Sequence, residues 1–169
     1  MLKRASLAAV AAASVLLLIP ALPGAGDAQA QMTMNLASAG RGPGVNAIVE
    51  GYTHAVIIPE DAATARATGR RVHKPFTVRK RVDAATPLLY RALTNSETIP
   101  AVTLRLPTTN VAGGPTLTIT LTDARIMTIT SGSSGDDLPV EEVAFYYNKI
   151  QWTYSEGGIS HEDSWAGDR

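Results

Sequence analysis

The strongest constraint on this chain is a period of two. Between Thr116 and Thr122, Leu117, Ile119 and Leu121 alternate with threonines. Successive strand residues point to opposite faces, so this pattern builds a strand with one apolar and one hydroxyl face, and no helix satisfies it. Val102, Leu104 and Leu106 alternate with Thr103 and Arg105 in the same way. The stretch from Pro107 to Pro115 carries Asn110, Gly113 and Gly114, residues suited to a hairpin loop. The two runs are expected to pair antiparallel.

Further strands follow from weaker signals. Asp123 to Thr130 reads as a third strand after a tight connection, and Ser131 to Asp137 as a polar loop. Val143 to Tyr154 is the longest β-prone run, and its apolar phase changes midway, from Val143, Phe145 and Tyr147 to Ile150, Trp152 and Tyr154. A bulge near Asn148 and Lys149 accounts for that, and so does a strand covered on both faces. Glu156-Gly157-Gly158 signals a turn into a terminal strand over Ile159 to Trp165. Upstream, Ala47 to Pro59 and Val72 to Val82 read as strands. Asp61 to Arg71 between them has no apolar stripe and reads as a solvent-reaching loop or hairpin arm.

One helix interrupts the strands. Thr86 is placed to cap it, Pro87 suits its first turn, Leu89, Ala92 and Leu93 share a face, and Asn95 and Ser96 end it. So short a helix needs packing against a sheet.

The first thirty residues read as an address. Lys3 and Arg4 form a basic head, Ala5 to Leu22 an apolar run, and Ala28-Gln29-Ala30 a small-x-small cleavage site, the pattern of a cleavable signal peptide over 1–30. The mature chain is expected to begin near Gln31, to be exported to the periplasm or beyond, and to keep no membrane anchor. Losing Lys3, Arg4 and Asp27 takes the 15 basic and 15 acidic side chains to 13 and 14, a balance without the electrostatic footprint of a nucleic-acid partner. The chain has no Cys, so disulfides, thiolate catalysis and Cys-based zinc sites are excluded, and the fold rests on burial.

The inventory for chemistry is thin. His54, His73 and His161 show no metal-ligand spacing. His161-Glu162-Asp163 lies between Ser160 and Ser164, but neighbours on a strand face opposite ways and do not converge, so a polar terminal strand is the reading adopted. Gly132-Ser133-Ser134-Gly135 is no nucleophile elbow, and Gly40, Gly42 and Gly44 lack the helix and Lys-Ser/Thr pair of a phosphate loop. No cofactor, metal or catalytic set is expected, and the protein is read as a non-enzyme. Tyr146, Tyr147, Trp152, Tyr154 and Trp165 crowd the last quarter of the chain, as core and subunit-interface residues do.

Longer strings carry a family resemblance. Arg71-Val72-His73-Lys74-Pro75-Phe76, then Lys80-Arg81-Val82-Asp83 and Thr86 to Leu93, resemble the central strand-to-helix motif of the hemolysin-coregulated (Hcp) family of type VI secretion tube proteins. Glu141 to Tyr154 resembles the family's long late strand, and Gly158 to Trp165 its ending. The resemblance implies a mainly β fold, a small barrel of two packed antiparallel sheets with one flanking short helix. It also implies a six-membered ring of identical subunits, stacking into a tube that works with spike and sheath proteins and carries small effectors in its lumen.

The domain expectation is therefore a leader over 1–30, a short Gly-rich segment over 31–46 and the barrel over 47–169. Asp61 to Arg71 falls where the family has an arm reaching neighbouring subunits. Arg66, Thr68, Arg70, Arg71, Tyr146 and Trp152 are the candidate interface residues. The alternative is a secreted protein of the same fold that holds a peptide or glycan without forming a tube.

Overall fold

The computed structural model describes residues 30–37, 44–64, 66–135 and 137–165. The leader expectation over 1–30 lies outside these apart from Ala30, as do residues 38–43 of the Gly-rich segment.

The described chain opens with β1 (Met32–Leu36), β2 (Val45–Val49) and β3 (Gly51–Thr53). Four two-residue strands follow, β4 (Val56–Ile57), β5 (Glu60–Asp61), β6 (Arg66–Ala67) and β7 (Val72–His73), and then β8 (Phe76–Arg81). After α1 (Thr86–Thr94) come β9 (Ile99–Pro107), the long β10 (Thr116–Gly132), β11 (Val140–Tyr146), β12 (Lys149–Tyr154) and β13 (Ile159–Ser164).

The predicted hairpin is present: β9 and β10 pair antiparallel, Leu104 opposite Ile119 and Val102 opposite Leu121, all four buried. β1 inserts between β2 and β9, so the barrel begins ahead of the Ala47 boundary. Asp123 to Thr130 is not a separate strand; it is the second half of β10. Thr116 to Thr122 pairs with β9 on one side and β12 on the other, whereas Arg125 to Gly132 pairs with β11. Asp123 sits between the halves with φ 50°, a left-handed conformation that Asp tolerates better than most residues.

The change of phase in Val143 to Tyr154 has a related cause. The run is two strands, β11 in the sheet with β8 and β3, and β12 in the sheet with β10 and β13. Tyr147 and Asn148 make the corner between them. The register shift expected near Asn148 lies instead in β10, between Ile126 and Thr128. β2 and β3 likewise pass from one sheet to the other through Glu50, whose N–H donates to the Arg79 carbonyl at 2.9 Å. Strands that cross at corners let two sheets wrap one core without a closed ladder. That core includes Met34, Phe76, Val78, Leu104, Leu121, Phe145 and Ile150.

The helix ends where expected and starts differently. Ser96 adopts φ 51°, and the N–H groups of Ser96 and Glu97 donate to the Leu93 and Ala92 carbonyls, a Schellman closure. At the start the cap position is Ala85, and no side chain caps it. Thr86 lies inside the first turn because its hydroxyl is engaged elsewhere, donating to Glu141 Oε1 at 2.8 Å and accepting from the Asp83 N–H at 3.1 Å. Leu89 and Ala92 are buried against the sheet, with Leu93 partly covered.

Candidate functional site

Residues 55–74 leave the barrel as a narrow hairpin arm. β4 pairs with β7 and β5 with β6, and two further bonds tie its legs, Lys74 N–H to the Ala55 carbonyl and Thr68 N–H to the Pro59 carbonyl, both at 2.9 Å. At the tip Asp61 Oδ1 accepts from the N–H groups of Ala63 and Thr64 and from the Thr64 hydroxyl. These bonds favour its charged form and hold its pKa below the usual carboxylate value.

The predicted arm is therefore present, and Arg66, Thr68 and Arg70 lie exposed on it. Its root carries a feature the composition of Asp61 to Arg71 does not show. Val56, Ile57, Ile58 and Val72 are 40%, 45%, 56% and 43% exposed, an apolar surface left open among the described residues. These residues fall within the runs read as ordinary strands, Ala47 to Pro59 and Val72 to Val82, so the sequence did not mark them as part of an exposed arm.

The other candidates lie on the barrel. Tyr146 is exposed on β11, with its ring edge-on to Trp165 at 5.2 Å. Trp152 is half-buried on β12 and stacks on His161 at 5.9 Å. Arg71 faces its own barrel: its guanidinium forms a two-point pair with Asp163 of β13, one contact being Nε to Oδ2 at 2.6 Å.

Asp163 is where the reading of His161-Glu162-Asp163 falls short. Its neighbours on β13 indeed face away, but side chains from other elements meet it. His73 Nε2 lies 3.0 Å from Asp163 Oδ2, His73 Nδ1 lies 2.9 Å from the Tyr147 hydroxyl, and that hydroxyl lies 2.7 Å from His54 Nε2. The five residues 54, 71, 73, 147 and 163 come from the position just before the arm, its second leg, the β11–β12 corner and the last strand. No spacing in the sequence links them; only aromatic crowding near Tyr147 hinted at the place.

The electrostatics follow from these contacts. The Arg71 hydrogen bonds, with help from the Ser164 N–H and His73, bring Asp163 down to about 2 against the opposing effect of desolvation. Burial, and then the nearby Asp163 charge, push the Tyr147 hydroxyl above its usual range, so it keeps its proton. Burial, and then the charge His73 acquires, lower the pKa of His54. No group of three or more metal-binding side chains converges among the described residues, and no helix among them is long and apolar enough to cross a membrane.

This architecture has known counterparts. The family model described as "Type VI secretion system effector, Hcp" matches residues 46–154. The chain belongs to the Hcp family. It is 38% identical over 127 residues to the "Major exported protein" of Pseudomonas aeruginosa, covering 70% of this chain and 74% of that protein. Among solved structures, a crystal structure of an Hcp protein superposes with a TM-score of 0.73 at 25% identity, covering 80% of this chain and 99% of the other. The secreted protein Hcp3 from Pseudomonas aeruginosa superposes at 0.65 with 29% identity, covering 79% and 99%. The Hcp match to residues 46–154 spans the arm, the helix and the β11–β12 corner, and Asp163 lies beyond it.

Proposed function

We propose that this protein is an exported structural subunit that assembles with copies of itself into rings, and that these stack as the tube of a type VI secretion system. The observation that carries the reading is the arm. It is ordered by its own hydrogen bonds, presents Val56, Ile57, Ile58 and Val72 to solvent, and bears Arg66, Thr68 and Arg70 further out. A surface that is apolar at the root and charged beyond it has the anatomy of a subunit contact. The edge strand β13, paired among the described residues with β12 alone and carrying the exposed Ile159, adds a second surface that assembly would cover. Tyr146 and Trp152 belong to that side of the barrel. The lumen of such a ring is the place we assign to small effectors, and spike and sheath proteins are the partners beyond the ring.

The protein acts by assembly in this reading, and its working residues are contacts. The test is mass and shape of the protein from Gln31 onwards, by light scattering and negative-stain microscopy, beside a variant lacking residues 60–67. The expected result is rings or stacked rings for the parent and folded monomers for the variant. Rings that persist without the arm tip would overturn the arm assignment. A monomeric parent would replace the tube by a secreted binding protein, for which the mixed-charge groove of about 710 Å³ lined by Glu50, Arg79, Arg81, Asp137 and Glu142 is the place to look for a bound peptide.

A further inference from the structure

We propose that His54, Tyr147 and His73 form an acid-sensitive clasp at the root of the arm, able to hold one proton but not two. His54 stands immediately before the first leg of the arm and His73 ends the second, and both imidazoles meet the same Tyr147 hydroxyl. With both rings neutral, every group has a partner. His54 Nε2–H donates to the Tyr147 oxygen, the Tyr147 hydroxyl donates to His73 Nδ1, and His73 Nε2–H donates to Asp163.

One added proton is also accommodated. On His54 it sits at the nitrogen outside the chain and leaves these bonds unchanged. On His73 it reverses them: Nδ1–H donates to the Tyr147 oxygen and the Tyr147 hydroxyl turns to His54 Nε2. A second proton has no such solution. Both rings then donate to one oxygen, the tyrosyl proton loses its acceptor, and two cations stand with ring centroids 6.2 Å apart. The surrounding charges offset at most one of the two. Asp163 meets His73 Nε2 at 3.0 Å but shares its carboxylate with Arg71, and His161 on β13, stacked on Trp152 beside His54, supplies no negative charge. Phe76 and Trp165, packed on His54 and His73, supply no acceptor. His73 is almost wholly buried, so water does not replace the lost bonds without displacing the hairpin.

Acidification therefore detaches the arm while the barrel stays folded. The effect on assembly rests on the arm being a subunit contact; the clasp itself does not. Hydrogen exchange on the mature protein, corrected for the intrinsic pH dependence of exchange, reads the arm directly. Between pH 7.5 and pH 5, the amides of Thr68 and Lys74 are expected to lose about tenfold or more of their protection while those of β9 and β10 keep theirs. His54→Gln, whose amide can still donate to Tyr147, should keep the arm protected at both pH values. Imidazole NMR of the unaltered protein gives a second reading, since His54 and His73 should take up their protons in two coupled steps. Unchanged arm protection at pH 5, equal acid loss in His54→Gln, or two independent titrations would each overturn the clasp. An arm that opens in acid while rings persist would sustain the clasp and refute the arm's role in assembly.

Discussion

Lys80 and Glu141 face each other directly across the β8–β11 ladder, and both side chains are 0% exposed. Lys80 Nζ donates to Glu141 Oε1 at 2.7 Å, to Asp83 Oδ1 at 2.8 Å and to the Arg81 carbonyl at 2.6 Å. Lys80→Met keeps most of the volume and removes the cation. Glu141 Oε1 then retains only the Thr86 hydroxyl, and Oε2 already lacks a hydrogen-bond partner. Stranding a buried carboxylate in this way costs about 3–5 kcal/mol. At roughly 3 °C per kcal/mol for a domain of this size, Tm should fall by about 10–15 °C. Lys80→Met combined with Glu141→Leu removes both charges, and the double variant should return to within about 1 kcal/mol of the parent, since an apolar pair of similar volume escapes the desolvation cost. The assay is urea unfolding followed by circular dichroism on monomeric protein, because assembly would add its own stability. A loss below about 1 kcal/mol for Lys80→Met, or a double variant that costs the sum of the two singles, would refute the reasoning.

Four further outcomes are expected. Leu89→Ala should cost about 2–5 kcal/mol, since Leu89 is wholly buried between α1 and the sheet, and calorimetry would show it. Ser96→Gly should raise stability by about 0.5–1 kcal/mol by relieving the positive φ at the helix end, visible as a higher urea midpoint. Stability should fall in two acid steps. His54, whose folded pKa lies below its ordinary 6.5, withdraws stability as pH drops from that value to the lowered one. Asp163 withdraws its share between the ordinary 3.8 and about 2, and Asp163→Asn should shrink the second step in a pH series of thermal melts, leaving what Asp61 contributes below 3.8. N-terminal sequencing of exported protein should begin near Gln31, whereas a chain beginning at Met1 recovered only from the cytoplasm would contradict the leader reading.

The parts of the fold legible beforehand are those governed by local rules. The alternation through Leu104 and Leu121 named the buried face of the central hairpin, and Pro87 and Ser96 bracketed the helix closely. The errors share a physical cause. Asp123 and the pair Asn148-Lys149 looked like a turn and a bulge because each interrupts the alternation. Whether an interruption ends a strand, kinks it or sends it into another sheet depends on the partners on either side, and those are residues far away in sequence. Thr86 was a plausible cap until Glu141, 55 residues on, claimed its hydroxyl.

The candidate site divides along the same line. A solvent-reaching stretch without an apolar stripe over residues 61–71, a mainly β protein with one helix, and strings from Arg71 to Trp165 that resemble the Hcp family can all be read from the sequence. These follow from side-chain type and short-range spacing, which each residue carries with it. Only the tertiary structure decided that Arg71 turns back to Asp163, that the root of the arm is apolar and exposed, and that His54 and His73 share one tyrosyl hydroxyl. Those contacts span between 74 and 93 positions of sequence. At such separations the pairing is set by how β3, β7, the β11–β12 corner and β13 pack around a common core, not by any preference of the residues themselves.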